Sequence, residues 1–386
     1  MKERSALLLG AYGQTNLGDD LLLYDYLKLL VERGFTKITI NASVAKFIPQ
    51  VILDEFPLAS IEIFETYNTS PLELFKRMLK TDVIVYGGGT VFKELYATTG
   101  RKPYAVIANV AAFNTAARLL GKKVYGFHLG IGTIKTRLGR WFSRRAIMAS
   151  TKTTFRDKAS YDYAKNVLKL PENKIELSTD GLFTNRDWQK PWHTLQLPKN
   201  ITARKNGKLV GVNVLSDIPD WVDRKKYVKN LCDFIDALIE AGDYVVLLPF
   251  QYDFNKHSDL YFMEHELMPK LKHKKGYYIA KDLALDNIIS ALQQIDVLVG
   301  LRFHSLLLAT VANTPFVALA YDTKCWRYTT EINYPYALKI EEFDAVQLME
   351  QYEKVCKDSA KIKAKLTREA DKNFKAGDVW LKNSTL

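Results

Sequence analysis

Short runs of β-branched and other apolar residues alternate with segments of helical spacing through the first half of the chain. The apolar runs predict buried strands at residues 7–9, 37–40, 83–86, 123–127 and 153–155. Between them, apolar residues three and four positions apart predict helices at residues 21–33, 72–79 and 106–120. This alternation is typical of βαβ units, which build a parallel sheet with helices on both faces.

The same alternation resumes in the second half of the chain. Strands are predicted at residues 209–215, 244–248, 277–279, 296–299 and 316–320, with helices at 227–241, 258–271, 285–293, 306–312 and 345–374. A polar, Pro-bearing stretch at residues 186–208 interrupts the pattern and predicts a linker. We therefore predict an α/β protein of two Rossmann-like doubly wound domains facing a cleft, at residues 1–185 and 209–386. Ligands of such sheets bind at the carboxyl ends of the strands.

Charge and cysteine content narrow the classes of partner and compartment. The 386 residues carry 55 Lys and Arg against 43 Asp and Glu, a net charge of +12, which indicates anionic partners. Basic residues are spread along the chain and no recognition module occurs, so we do not predict nucleic-acid binding.

Three separated cysteines without a CxxC pair predict neither a disulfide framework nor a zinc site. The first apolar run is too short for a signal peptide, so we predict a reduced, cytoplasmic protein.

Histidine spacing likewise predicts no metal site. His257, His265 and His273 are eight residues apart, which does not bring them together on one helix face. We predict no metal and no cofactor.

Three glycine-rich turns follow predicted strands of the first domain. The first turn, residues 10–20, has the outer glycine spacing of a phosphate loop, but Asp19 and Asp20 replace the Lys and Ser/Thr that bind a nucleotide. An ATPase is therefore excluded, and Asp19 is left with two open roles: capping the following helix or binding a substrate hydroxyl. The other two turns are Gly87-Gly88-Gly89, which could let a ligand approach the backbone amides, and Gly130-Ile131-Gly132. His128 precedes the third turn.

Cationic side chains follow two of the predicted strands. Arg156 directly follows residues 153–155, and its alternative role is a local ion pair with Asp157. Arg302 and His304 lie between two highly apolar segments, where a charge is costly unless a partner compensates it. A bound anion or a structural ion pair could supply that compensation.

One basic segment contains aromatic residues. Residues 135–145 combine five Lys and Arg with Trp141 and Phe142. Such a segment could touch anionic lipid headgroups, or it could be a core-packing helix with a solvated basic face.

Taken in order, these motifs resemble the polysaccharide pyruvyl transferase family. The resemblance spans roughly residues 6–325 and rests on the turns at residues 12–19, 87–89 and 130–132, on residues 156–160 and 302–305, and on residues 312–322. It implies a GT-B-like fold and transfer of a pyruvyl (carboxyethylidene) group from phosphoenolpyruvate to a sugar. It implies that Arg156, Arg302 and His304 hold phosphoenolpyruvate. With these we predict Asn16, Gly87, Gly88, Gly89, His128 and Gly130 as substrate-binding residues, and His304, Arg302 and Asp19 as catalytic. We expect the acceptor on the side of the first domain, with its glycine-rich turns, and the Arg302/His304 motif for phosphoenolpyruvate in the second domain.

The chemistry of the proposed donor agrees with these residue types. Phosphoenolpyruvate carries a carboxylate and a phosphate, and Arg forks bind such groups bidentately. The acceptor would belong to a cell-surface polysaccharide or its lipid-linked precursor, with peripheral contact to the inner face of the plasma membrane left open. The rival functions are a nucleotide-sugar glycosyltransferase of GT-B type and a non-catalytic glycan-assembly protein. The acceptor sugar, its linkage and the oligomeric state do not follow from the sequence.

Overall fold

The computed structural model describes residues 3–95, 100–202, 206–252, 258–384 and 386. The chain divides into two units. Unit 1 comprises Met1–Thr15, Asp19–Asn185 and Asn373–Leu386, and unit 2 comprises Asn16–Gly18 and Arg186–Lys372.

Unit 1 is built on a parallel sheet of seven strands. These are β1 (Ser5–Leu9), β2 (Lys37–Ala42), β3 (Ser60–Glu65), β4 (Val83–Gly87), β5 (Lys123–Leu129), β6 (Lys152–Phe155) and β7 (Ile175–Leu177). Their order is β3-β2-β1-β4-β5-β6-β7, and each neighbouring pair is parallel. Every residue of β4 is buried, as expected of a central parallel strand covered on both faces. The order reverses between β1 and β4, and ligands of doubly wound sheets bind at such a switch point.

Unit 2 repeats this architecture with six strands. These are β8 (Leu209–Val212), β9 (Tyr244–Leu247), β10 (Tyr277–Ile279), β11 (Val297–Gly300), β12 (Phe316–Ala320) and β13 (Ala337–Lys339). Their order is β10-β9-β8-β11-β12-β13, again with parallel neighbours. The switch point lies between β8 and β11, whose register pairs Val210 with Val297 and Val212 with Val299. Two parallel α/β domains were expected, and this part of the fold prediction is confirmed.

The helices connect these strands. They are α1 (Leu17–Glu32), α2 (Gln50–Asp54), α3 (Pro71–Leu79), α4 (Ala105–Leu119), α5 (Arg137–Ala149), α6 (Lys158–Asp162), α7 (Lys199–Thr202), α8 (Arg224–Glu240), α9 (Asp259–Phe262), α10 (Ile288–Gln294), α11 (Phe303–Val311), α12 (Thr323–Glu331), α13 (Ala345–Lys357) and α14 (Ser359–Asn383). Polar side chains fix several of their starts: Thr136 Oγ1 accepts the Gly139 amide at 2.9 Å, and Asp344 forms a capping box with Gln347. No helix in the described part of the chain is long and apolar enough to cross a bilayer.

The C-terminal residues pack with the first unit. Phe374 packs edge-on against Phe183 with ring centroids 5.3 Å apart, and Trp380 packs edge-on against Phe127 at 4.9 Å. From the sequence, the whole C-terminal helix was expected to belong to the second domain. That assignment is wrong for Asn373–Leu386, because apolar side chains on the last turns of α14 are buried within unit 1.

The predicted linker, residues 186–208, belongs to unit 2. Trp188 is buried and stacks on Trp192 with ring centroids 4.8 Å apart, and the Leu195 amide donates to Ser290 Oγ at 3.1 Å. Residues 203–205 lie outside the described residues. The N-terminal part of this stretch is therefore anchored by aromatic packing, which the polar composition of the stretch concealed.

Candidate functional site

Arg302 lies at the switch point of the unit 2 sheet. It follows β11 and immediately precedes α11, and its backbone amide donates to Asn213 Oδ1 at 2.9 Å. Asn213 follows β8 and donates in turn to the Leu248 carbonyl at 3.0 Å. The Asn213 side chain thus links the residues that follow β8 and β11, and this fixes the position of the Arg302 backbone.

A buried carboxylate grips the Arg302 guanidinium. Nε and Nη2 donate to the two oxygens of Asp259, both at 2.6 Å, and Nη2 also donates to Gln251 Oε1 at 2.9 Å. Asp259 is fully buried, and the Arg302 side chain is 12% exposed. Burial lowers the pKa of Arg302 while Asp259 raises it, and the net pKa lies above the ordinary value. The structural ion pair left open by the sequence is therefore present, with the Nη1 group making no hydrogen bond to the described residues.

Asp259 is itself held by backbone amides. Its Oδ1 accepts from the Ser216 amide at 3.2 Å and its Oδ2 from the Gln251 amide at 3.0 Å. Two amide donors and two guanidinium contacts satisfy this carboxylate, as a buried charge requires. The orientation of Arg302 is consequently set by a fixed partner.

His304 lies against the segment Asn16–Gly18, which belongs to the same unit. Asn16 forms an antiparallel bridge with Gln251, and the Leu17 amide donates to the Phe250 carbonyl at 2.9 Å. A Cβ at Gly18 would overlap the His304 imidazole, so glycine is required for this close approach. Unit 2 therefore brings together three predicted site residues, Asn16, Arg302 and His304.

The start of α1 shows which residue caps that helix. Asn16 Oδ1 accepts from the Gly18 amide at 3.1 Å, so Asn16 is the capping side chain. Asp19 and Asp20 lie in the first turn of α1, where they complement the helix dipole. Asp19 is half-buried. Burial of the Tyr12 side chain is the main cause that raises the pKa of Tyr12, and the negative charge of Asp19 raises it further.

In the triple-glycine turn of unit 1, residues 87–89, protein atoms occupy the space that a ligand would need at the first two glycines. A Cβ at Gly87 would overlap Tyr12 Oη, which donates to the Gly87 carbonyl at 3.1 Å. The Gly88 amide donates to the Phe127 carbonyl at 2.9 Å, and a Cβ there would meet Leu22. Only at Gly89, with a φ of +76°, would a Cβ meet no described atom within 4 Å. The anion-nest interpretation is corrected for Gly87 and Gly88, because their packing within unit 1 explains both glycines.

Arg156 is buried at the carboxyl end of β6. Nη1 donates to Asp180 at 3.1 Å and Nη2 to Thr90 Oγ1 at 3.3 Å. A Cβ at Gly130 would lie 3.1 Å from Nη2, so this glycine makes room for the guanidinium. The alternative pairing with Asp157 is a distant one, at 4.0 Å, and Asp157 instead caps α6 through the Ser160 amide. The main carboxylate partner is thus Asp180.

His128 is a buried, neutral ring in unit 1. Nδ1 donates to the Thr179 carbonyl at 2.7 Å, and the ring packs edge-on against Trp380 with centroids 4.2 Å apart. Burial is the main cause that lowers its pKa to about 4, and Arg156 lowers it further. Nε2 is buried and has no hydrogen-bond partner among the described residues. At neutral pH this group is an acceptor and cannot act as a cation.

The described side chains show no group of three His, Cys, Asp or Glu residues placed to hold a metal, and His257 lies outside the described residues. The absence of a metal and of a cofactor from the reaction stays a prediction.

Comparison with known families tests the resemblance that these motifs carry. The model of the polysaccharide pyruvyl transferase family matches residues 16–323, which is most of the chain. The chain belongs to this family. The match includes Asn16, Arg156, Arg302 and His304. A search of curated proteins found no matching sequence.

Solved structures place this pyruvyl transferase family member in the GT-B fold. The UDP-GlcNAc 2-epimerase from Neisseria meningitidis, bound to UDP-GlcNAc, matches with a TM-score of 0.63 at 10% identity over 98% of both chains. The UDP-GlcNAc 2-epimerase from Methanocaldococcus jannaschii matches at 0.59 and 15% identity over 92% of both. A glycosyltransferase from Rickettsia africae matches at 0.59 and 14% identity over the full length of both chains. At these identities the likeness establishes the fold alone.

Proposed function

We propose that the protein transfers a pyruvyl group from phosphoenolpyruvate to two hydroxyls of a sugar acceptor, forming a ketal and releasing phosphate. Membership of the pyruvyl transferase family is the observation that carries this proposal. The Arg302–His304 pair at the unit 2 switch point supports it, because this is where doubly wound sheets bind ligands.

The Nη1 edge of Arg302 is the part of this site that would bind the anionic groups of the donor. In our proposal the Nη1 edge of Arg302 binds the phosphate or carboxylate, while Asp259 holds the other edge in a fixed orientation. The α11 N-terminus that follows adds its positive dipole end. Because Asp259 neutralises Arg302, the site recognises the donor by geometry more than by net charge.

Ketal formation then requires three proton movements, one to carbon and one from each of the two attacking hydroxyls. His304 delivers a proton to the methylene carbon of phosphoenolpyruvate, and one sugar hydroxyl attacks the adjacent carbon and loses its proton. The bond from that carbon to the phosphate oxygen breaks, phosphate leaves with its electron pair, and a second hydroxyl closes the ketal as its proton is lost. Asp19 as a hydroxyl base and Arg156 as a phosphoenolpyruvate ligand are further predictions for the same reaction.

Phosphoenolpyruvate-dependent phosphate release, measured with lipid-linked galactose-, mannosamine- and glucose-bearing acceptors, tests the proposal. His304→Asn and Arg302→Lys are expected to reduce turnover by at least about a hundredfold, since general acid catalysis alone contributes 10²–10⁴. His265→Asn, at an exposed position in unit 2, is the matched control. Full turnover in His304→Asn or Arg302→Lys would refute these roles.

Ligand-induced stabilisation separates the rival functions. A ligand at 100 times its dissociation constant stabilises the folded state by about 2.7 kcal/mol. Stabilisation by UDP-sugars and not by phosphoenolpyruvate would favour a nucleotide-sugar glycosyltransferase, with which the family member shares its fold. Stabilisation by neither, together with no turnover, would favour a non-catalytic protein.

We also propose that the acceptor is lipid-linked and that α5 contacts an anionic membrane surface. Its inner face is buried through Ala146 and Ile147, so the core-packing role also holds. On its outer face Trp141 is 55% exposed beside the exposed Arg144 and Arg145, and Arg144 Nη1 donates to the Leu168 and Lys169 carbonyls. Exposed aromatics among such cations suit anionic headgroups.

Flotation with vesicles of phosphatidylglycerol and phosphatidylcholine tests this contact. The unchanged protein is expected to float with the anionic vesicles, and Arg144→Glu combined with Arg145→Glu to remain at the bottom. Lys229→Glu combined with Lys225→Glu, on exposed positions of α8, controls for net charge. Equal flotation of both double variants would contradict a role for α5.

A further inference from the structure

A hollow of about 360 Å³ opens in unit 2 at the carboxyl ends of β12 and β13. Tyr321 and Asp322, which follow β12, line one side, and Trp326 and Arg327 of α12 line another. Trp221, from the segment between β8 and α8, completes the aromatic part of the wall. The hollow is therefore formed at the edge of the sheet where ligands of doubly wound domains bind.

Two tryptophans of this wall are unusually exposed. Trp221 is 60% exposed and Trp326 is 42% exposed. The outward direction of Trp326 follows from its helix, because Cys325, Tyr328 and Thr329 of α12 are buried against unit 2. Leaving two large aromatic faces in water is unfavourable, and such exposed apolar surface marks ligand-binding sites.

Charged side chains of both signs surround these two rings. Asp322 caps α12 by accepting from the Lys324 and Cys325 amides. Lys339 Nζ lies 6.0 Å from the centroid of the Trp326 ring, and Arg327 and Glu341 line the same hollow. Because two carboxylates face two cations, the hollow suits a neutral ligand with both donors and acceptors better than a phosphorylated one.

The hollow adjoins the Arg302–His304 site within unit 2. Lys324 Nζ lies 5.7 Å from the centroid of the Tyr321 ring and 5.9 Å from that of Phe303. Phe303 is the residue between Arg302 and His304. Cys325 of α12 also contacts the Leu301 carbonyl through its Sγ at 3.5 Å, so the helix that lines the hollow packs against the segment that carries Arg302.

We propose that this hollow binds the sugar ring of the acceptor, with its apolar C–H face on Trp221 or Trp326 and its hydroxyls on Asp322, Arg327 and Glu341. This rests on the proposed function for the identity of the sugar as acceptor. A hexose presents one apolar face and a rim of neutral donors and acceptors, which matches an aromatic wall bordered by charged groups of both signs. The sequence analysis had placed the acceptor in the first domain.

Sugar binding is measured without phosphoenolpyruvate, by calorimetric titration with the methyl glycosides of galactose, glucose and N-acetylmannosamine. At least one glycoside is expected to bind the unchanged protein, and Trp326→Ala and Trp221→Ala are each expected to weaken it about tenfold, or 1.4 kcal/mol. Trp326→Tyr keeps an aromatic face and is expected to restore most of the affinity. Tyr67→Ala, at an exposed aromatic residue of unit 1, is the control and should bind normally.

Three results would overturn the proposal: no glycoside binds, binding is unchanged in both alanine variants, or UDP competes for the hollow in preference to glycosides. In turnover assays, the alanine variants should raise the KM for acceptor and leave the KM for phosphoenolpyruvate unchanged. If glycosides bind through the tryptophans while phosphoenolpyruvate yields no phosphate, the hollow remains a sugar site and the pyruvyl transfer fails. The two proposals are thus separately testable.

Discussion

The buried ring of His128 predicts a specific loss of stability in acid. Its pKa is lowered from 6.5 to about 4, mainly by burial, so between these values the unfolded chain binds a proton that the folded chain does not. Unfolding free energy therefore falls as pH falls from about 6.5 to about 4, and this contribution changes no further below that range. The shift corresponds to about 3 kcal/mol, since one pKa unit is worth 1.36 kcal/mol.

His128→Asn isolates this contribution. Asparagine tolerates the left-handed backbone at this position, where φ is +52°, and its amide can donate to the Thr179 carbonyl as Nδ1 does. The variant loses the contact with Trp380 at every pH, so only the pH dependence is diagnostic. Between pH 7 and pH 4, we expect the unfolding free energy of the wild type to fall by about 3 kcal/mol more than that of the variant.

The assay is urea unfolding at a series of pH values, combined with an NMR titration of the histidine rings. His265→Asn, the same replacement at an exposed histidine, is the control. A His128 resonance that titrates near pH 6.5, or parallel stability curves for wild type and His128→Asn, would refute the reasoning. Either result would mean that the ring is hydrated or that Asp180 compensates its charge.

Two other predictions concern unit 2. Asp259→Asn leaves the Arg302 guanidinium buried beside a neutral amide and is expected to destabilise the protein by about 3–5 kcal/mol in urea unfolding. Asp233→Asn, which breaks an exposed pair with Lys229, should cost less than about 1 kcal/mol, and equal losses would contradict the assignment. Gly18→Ala is expected to displace the His304 ring and to lower phosphoenolpyruvate-dependent turnover at least about tenfold, and unchanged turnover would show that the imidazole can move without consequence.

The central strands were predictable from the sequence because both of their faces are buried. β4 is buried at every position and reads as a continuous apolar run, which the sequence analysis recognised. The edge strands β3, β7 and β13 were missed. β3 has the sequence Ser-Ile-Glu-Ile-Phe-Glu with mainly half-buried and exposed positions, so its pattern lacks that run.

The cationic residues of the site were predictable from the sequence, but the carboxylates that pair with them were not. Arg156 and Arg302 stand at strand ends in the sequence, and both lie there in the structure. Their partners Asp180 and Asp259 are 24 and 43 residues away along the chain, and no local pattern links them. Asp180 follows the missed strand β7, so recognising that strand would have placed an aspartate at the same edge of the sheet.

The return of Asn373–Leu386 to unit 1 bears on how the protein is made. Phe183 and Phe127 receive their packing partners, Phe374 and Trp380, from residues that leave the ribosome after those of unit 2. Domains usually fold as they emerge, with the N-terminal one first. Here we expect the reverse order. Unit 2 can complete its fold while unit 1 still exposes the apolar surface around Phe127 and Phe183. During that interval we expect the nascent first unit to be the part of the molecule most prone to aggregation.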